Sequence, residues 1–187
     1  WKFGPALGTA GVATWAARRR ERVLPVVLVH GILDSANNME TAAQWVRSAL
    51  GRGSYVRAIE IGNGERDSLT RPMEWQLQRL AEQIKADPKL QRGFNMIGYS
   101  QGSLLARAFV QRYDTPPVRV LVSWVGPQAG QFGVPAWEPL LKKLNHITSA
   151  MWYSPALQAT VAFANYWRDP TRLELYRQQS AFLADIN

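Results

Sequence analysis

The sequence predicts an α/β protein: a parallel sheet with helices on both faces. Three observations carry that expectation. Short apolar runs alternate with segments of helical periodicity along the first two thirds of the chain. The first run, Val23-Leu24-Pro25-Val26-Val27-Leu28-Val29, is apolar almost throughout, as in strands buried on both faces. Glycine, proline and asparagine punctuate the junctions. With 187 residues, 47% hydrophobic and 19% charged, the chain can bury one sizeable core and is short for two full domains.

The elements follow in order. The first strand ends at His30-Gly31. Asn37 or Asn38 is expected to cap a helix whose apolar positions Met39, Ala42, Ala43, Val46, Ala49 and Leu50 keep helical spacing until Gly51 stops it. Residues 55–61 read as the next strand. Thr70 with Pro72 opens a second helix, with Met73, Leu77, Leu80, Ala81 and Ile84 on one face, and Asp87-Pro88 closes it. Residues 94–98 form a short strand, 101–113 a helix buried through Leu104, Leu105, Ala108 and Phe109, and 118–125 a strand after Pro116-Pro117. Strand-helix alternation of this kind requires right-handed crossovers and puts a site at the C-terminal strand ends. Residues 23–126 are therefore the expected core, and 1–22 a basic extension. Residues 127–187, with helical stretches at 140–144 and 159–167 and no clear strand, read as a cap over the site, incomplete at its C-terminal end.

Gly98-Tyr99-Ser100-Gln101-Gly102 falls at a strand-to-helix junction. That context is the nucleophile elbow of an α/β-hydrolase: Gly98 and Gly102 allow a sharp turn that lifts the Ser100 hydroxyl clear of the sheet. Chance alone gives a Gly-x-Ser-x-Gly in about one chain in twenty of this length at average glycine usage; the flanking strand and helix make coincidence far rarer. The backbone N–H groups of Ile32 and Gln101 are the expected oxyanion donors, a task set by geometry rather than side chain. His30 is expected to pack beneath the oxyanion loop rather than act as base, and His146 to lie on the surface. Gly62-Asn63-Gly64 reads as a turn. Trp124, Trp137, Trp152 and Trp167 have two readings, an acyl-chain channel and ordinary cap packing, the second slightly preferred for any one of them.

Composition narrows the function classes. There is no cysteine, which excludes disulfides, thiolate catalysis and Cys-ligated zinc. Two histidines without a His-Glu-x-x-His spacing give a catalytic metal no support. The formal charge of +8 suits an anionic surface, but its one tight run is Arg18-Arg19-Arg20 with Arg22. A solvated arm is the preferred reading of that run, contact with a membrane surface the other, and no aromatic-interleaved basic motif points to nucleic acid. The uncharged residues 3–17 fall short of the roughly 20 apolar residues of a spanning helix. An anchor remnant and an ordinary extension both stay open for them, the extension preferred.

Several segments together resemble the palmitoyl-protein thioesterases. They are Val27-Leu28-Val29-His30-Gly31-Ile32-Leu33-Asp34-Ser35, Ile59-Glu60-Ile61-Gly62, Asp87-Pro88-Lys89-Leu90, the elbow, residues 128–135, Tyr166-Trp167-Arg168-Asp169-Pro170 and Phe182-Leu183-Ala184-Asp185-Ile186-Asn187. The resemblance covers residues 24–187 in matching order. It implies cleavage of fatty acyl thioesters on protein cysteines, with Ser100 as nucleophile, Ile32 and Gln101 as oxyanion donors and no cofactor. The substrate would be an S-acylated protein or another acyl thioester. In that family the triad aspartate and histidine follow the segment matched by residues 182–187, so neither is assigned here, and Asp185 does not match the triad acid. A lysosomal or lumenal setting is also implied, although the family's usual cysteines are absent and leave an organellar or membrane-associated site open.

Three functions compete on these grounds. The first is a thioesterase whose C-terminal third lies outside this sequence or comes from another polypeptide. The second is a catalytically inactive hydrolase-like subunit that docks on a partner, of an organellar membrane complex for example, through an open sheet edge. The third is a lipid esterase, since an elbow alone does not separate esters from thioesters.

Overall fold

The computed structural model describes residues 23–113, 115–134, 143 and 146–187. The basic extension 1–22, Trp137 and most of the stretch 140–144 lie outside the described residues. Four strands, β1 (Val26–Val29), β2 (Val56–Ile59), β3 (Phe94–Tyr99) and β4 (Val118–Trp124), form one parallel sheet in the order β2-β1-β3-β4. Chain progression reverses direction between β1 and β3. The crevice at such a switch point is where open α/β sheets hold ligands.

β1 is buried along its whole length, and its side chains alternate between two apolar clusters. Val26 and Leu28 pack with Met39, Ala43 and Val56 beneath helix α1 (Glu40–Leu50). Val27 and Val29 join Phe94 and Met96 of β3 on the other face, under helices α3 (Met73–Ala86) and α4 (Gln101–Arg112). Leu77, Leu80, Ile84, Leu104, Leu105 and Phe109 of those helices are completely buried. Each such side chain contributes about 1.5–3 kcal/mol by leaving water. β4 forms the edge, and one of its faces leaves Val120, Val122 and Trp124 exposed.

The described residues of 127–187 form five short helices: α5 (Ser149–Trp152), α6 (Pro155–Thr160), α7 (Ala162–Asn165), α8 (Leu173–Gln179) and α9 (Leu183–Ile186). They share one hydrophobic cluster with α3 and α4, through Trp152, Tyr153, Phe163, Tyr166, Trp167 and Phe182. Polar links fix the same interface. Asn165 Oδ1 accepts the Met73 N–H at 2.7 Å at the start of α3, and Gln111 Nε2 donates to the Ile186 carbonyl at 3.0 Å. Gln158, itself buried, donates to the carbonyls of Trp152 and Ala164 and accepts from the Ala181 N–H.

Local details depart from the sequence expectations. Neither Asn37 nor Asn38 caps α1. Residues Asn37–Met39 form a 3₁₀ turn that runs straight into α1 from Met39, and Asn38 Nδ2 donates instead to Asp34 Oδ1. Thr70 ends a helix, α2 (Glu65–Thr70), that the sequence reading missed; the extended Pro72 alone precedes α3. The stretch 159–167 is broken at Val161, which is extended, into α6 and α7. Among the described residues no helix is long and apolar enough to cross a membrane.

The buried carboxylate of Asp169 organises the turn between α7 and α8. Burial alone would raise its pKa. Hydrogen bonds from Ser149 Oγ and from the Thr171 hydroxyl and N–H, with the nearby charge of Arg172, outweigh burial and hold it below the ordinary carboxylate value. A depressed folded pKa stabilises the fold above the unfolded value, near 3.9, and that stabilisation disappears as pH falls through the folded value. Urea midpoints of wild type and Asp169→Asn are therefore expected to differ most above about pH 5, to approach each other as pH falls below about 4, and to converge only once pH has passed the lowered folded value.

Candidate active site

Ser100 occupies the single residue between β3 and α4. Its φ is +50° and ψ is −121°, a conformation that L residues other than glycine avoid. Its N–H donates to the Trp124 carbonyl at 2.9 Å, tying the turn to the end of β4, and its carbonyl accepts the Ser103 N–H at 3.0 Å. Ser103 Oγ donates to the Gly98 carbonyl at 2.6 Å and locks the turn from below. The elbow works only because Gly98 and Gly102 lack side chains. A Cβ on Gly98 would stand 2.5 Å from the Gly102 carbonyl oxygen, and one on Gly102 would stand 2.3 Å from the Val29 carbonyl oxygen. The strain at Ser100 gives a measurable expectation: Ser100→Gly should be more stable than Ser100→Ala by about 1 kcal/mol, seen as a higher Tm.

The loop after β1 lies against this elbow. A Cβ on Gly31 would be 3.2 Å from Ser100 Cβ, so the loop backbone approaches the serine closely. Ile32, partly buried, packs on the main core. Leu33 has φ +52°, and its N–H donates to Ser68 Oγ of α2 at 2.8 Å. Among the described residues no protein acceptor takes the Ile32 N–H. Gln101 opens α4, so its N–H belongs to the first turn, where backbone donors lack intrahelical partners. Its side chain is fully buried and donates to the Ser68 carbonyl at 2.8 Å and to Gln76 Oε1 at 3.1 Å. Helix α2 thus braces both the loop after β1 and the elbow. The short polar segment Glu65–Thr70 gave no apolar periodicity by which sequence reasoning could have found it.

His30 is buried at the foot of the same loop. Its Nδ1 donates to the Gly31 carbonyl at 3.0 Å, while Nε2 accepts the Ile61 N–H at 3.3 Å and lies 3.1 Å from Glu60 Oε1. Its ring nitrogens are thereby engaged within the fold. His146 is exposed. Asp185, at the far end of the chain, receives Arg112 in an ion pair with α4. The Gly62-Asn63-Gly64 segment is a turn whose Asn63 N–H donates to Asp67 Oδ2 of α2. Trp152 and Trp167 stack on each other with centroids 5.4 Å apart inside the main hydrophobic cluster, so packing occupies them. Trp124 meets Tyr99 edge-on at 5.1 Å at the ends of β4 and β3. A cleft of about 320 Å³ lies there, lined by Asp34, Asn38, Met39, Trp45, Tyr99 and Trp124.

A parallel sheet crossed at its switch point, with a strained serine between strand and helix, defines the α/β-hydrolase fold. A lipase from Bacillus licheniformis shares it, with a TM-score of 0.51 and 18% identity over 87% of this chain and 57% of the lipase. The family model for palmitoyl protein thioesterase matches residues 25–187, and the chain belongs to that family. It is 44% identical over 163 residues to palmitoyl-protein thioesterase 3 of Dictyostelium discoideum, a match covering 87% of this chain and 55% of the relative. It is 32% identical over 174 residues to human lysosomal thioesterase PPT2, covering 91% of this chain and 56% of that protein. The chain thus spans little more than half the length of these relatives.

Proposed function

We propose that this chain carries the nucleophile and oxyanion half of a serine thioesterase that removes fatty acyl groups from protein cysteines. The observation that carries the proposal is the Ser100 elbow, held in a strained turn against the Gly31–Ile32 loop in a chain of this family. Ser100 Oγ attacks the thioester carbonyl and forms a tetrahedral intermediate whose oxyanion accepts from the N–H groups of Ile32 and Gln101. The C–S bond then breaks, the cysteine thiol leaves with a proton, and the acyl-serine is hydrolysed by water.

Both ring nitrogens of His30 are engaged within the fold and His146 is exposed, which supports a base from elsewhere. The base and its carboxylate partner are proposed to come from the part of the family's length that this sequence does not represent. A lysosomal setting follows the name of the human relative.

The test is release of fatty acid from a palmitoyl-cysteine peptide by the intact protein purified from its source. Ser100→Ala should lower kcat/KM by at least about 10³-fold with an unchanged Tm. Full activity in Ser100→Ala would remove the nucleophile assignment. Hydrolysis of the matching oxygen ester, but not of the thioester, would replace the thioesterase by a lipid esterase.

A further inference from the structure

Glu60, an acidic residue beside the loop that follows β1, has no part in the reaction as described. Glu60 stands one residue past β2, and its position is fixed from behind because its carbonyl accepts Gln83 Nε2 of α3 at 2.6 Å. Its two carboxyl oxygens reach the two ends of the loop that follows β1. Oε2 accepts the Ala36 N–H at 3.1 Å, and Oε1 lies 3.1 Å from His30 Nε2. Between these points lie Gly31, Ile32 and Leu33, with one further tether from Leu33 N–H to Ser68 Oγ.

The hydrogen accounting at His30 makes the contact specific. Nδ1 faces the Gly31 carbonyl, which only accepts, so Nδ1 carries a hydrogen. Nε2 faces both the Ile61 N–H and Glu60 Oε1. Oε1 is buried and, apart from this 3.1 Å contact with Nε2, has no hydrogen-bond partner among the described residues. The loop's start and end are then joined through one side chain anchored on β2.

We propose that Glu60 is a positioning residue for the oxyanion donor: its two carboxyl oxygens, one against His30 Nε2 and one accepting from Ala36, hold both ends of the loop and so fix the direction of the Ile32 N–H. This rests on the reading of Ile32 as an oxyanion donor. The clamp touches neither substrate nor Ser100. Its effect is on the transition state, where the oxyanion forms, rather than on substrate binding.

Glutamine supplies both halves of the clamp without charge, because its NH₂ donates to His30 Nε2 and its oxygen accepts from Ala36. Alanine supplies neither. Ala36→Pro provides an independent cut: φ at Ala36 is −57°, which proline adopts, so the change removes the donor while suiting the backbone. The experiment compares wild type, Glu60→Ala, Glu60→Gln and Ala36→Pro in the intact protein. It reads Ile32 amide exchange and the His30 Nε2 nitrogen shift by NMR, and kcat and KM on a palmitoyl-cysteine peptide.

Glu60→Ala should speed Ile32 exchange and lower kcat about tenfold at unchanged KM, a fraction of what loss of a whole oxyanion donor costs. It should also move the His30 Nε2 signal. Ala36→Pro should speed Ile32 exchange without moving that signal, and Glu60→Gln should stay within about twofold of wild type in kcat. Unchanged Ile32 exchange in both Glu60→Ala and Ala36→Pro would overturn the clamp, as would a Glu60→Gln as damaged as Glu60→Ala. If wild type hydrolyses no acyl thioester, the thioesterase reading fails by itself, and the exchange and nitrogen signals still decide whether the clamp exists.

Discussion

Gly102→Ala is expected to lower the Tm by about 10 °C and to abolish reaction of Ser100. The added Cβ would meet the carbonyl oxygens of Val29 and His30 at 2.3 and 2.4 Å, and both are backbone at the end of the central strand. No side chain can rotate away to relieve that contact. Either α4 lifts off β1 or the His30–Ile32 segment moves outward, and in both cases the serine separates from the loop after β1. Overpacking of this kind costs about 3 kcal/mol, which for a chain of this size corresponds to the stated shift. Thermal unfolding by circular dichroism with labelling by a serine-directed phosphonate measures both effects. A variant with wild-type Tm and labelling would mean that the α4–β1 contact is looser than the structure shows.

Trp152→Ala should cost about 4 kcal/mol, the range for deleting a buried aromatic side chain. Trp152 is completely buried, stacks on Trp167 at 5.4 Å and meets Phe163 edge-on at 5.3 Å. Its Nε1–H nevertheless has no acceptor among the described residues. Trp152→Phe keeps an aromatic ring in the cluster and removes that unpaired donor, whose burial costs about 1–3 kcal/mol. Phenylalanine should therefore recover more than half of the loss. Because the cap and α3–α4 share one hydrophobic cluster, urea unfolding of all three proteins should remain a single transition. A separate early transition in Trp152→Ala would show that residues 127–187 unfold on their own.

The parts of the fold that were legible are those with a strong period. β1, α3 and α4 are buried on faces that their apolar spacing announces, and the elbow is a local motif read directly from five residues. The helix start at Asn37 or Asn38 was misread because asparagine also bonds to nearby side chains, and here Asp34 took Asn38. Helix α2 carries one apolar residue, Leu69, and is held by Ser68, Asp67 and Gln76, contacts that only the tertiary structure brings together. The cap resisted reading for a similar reason: its helices are four to seven residues long and are fixed by Gln158, Asn165 and Asp169 rather than by amphipathic faces. At the site, Ser100, Ile32 and Gln101 were found from the sequence as candidates. Glu60 was quoted only as part of a family segment, since nothing local pairs it with His30 thirty residues earlier in the chain.

Placing β1 between β2 and β3 also sets an order of events as the chain folds. Val26 finds Val56 on one side and Asn95 on the other, so the second partner lies more than twice as far along the sequence. Closing the longer loop carries the larger entropic cost, about 0.6 kcal/mol for each doubling, and non-local parallel pairing is slow. The β1–α1–β2 unit is thus able to collapse while β3 is still searching, and the loop after β1 waits for a serine that has not yet arrived. A phosphonate pulse during refolding would time the docking of β3, lagging the signal of first collapse.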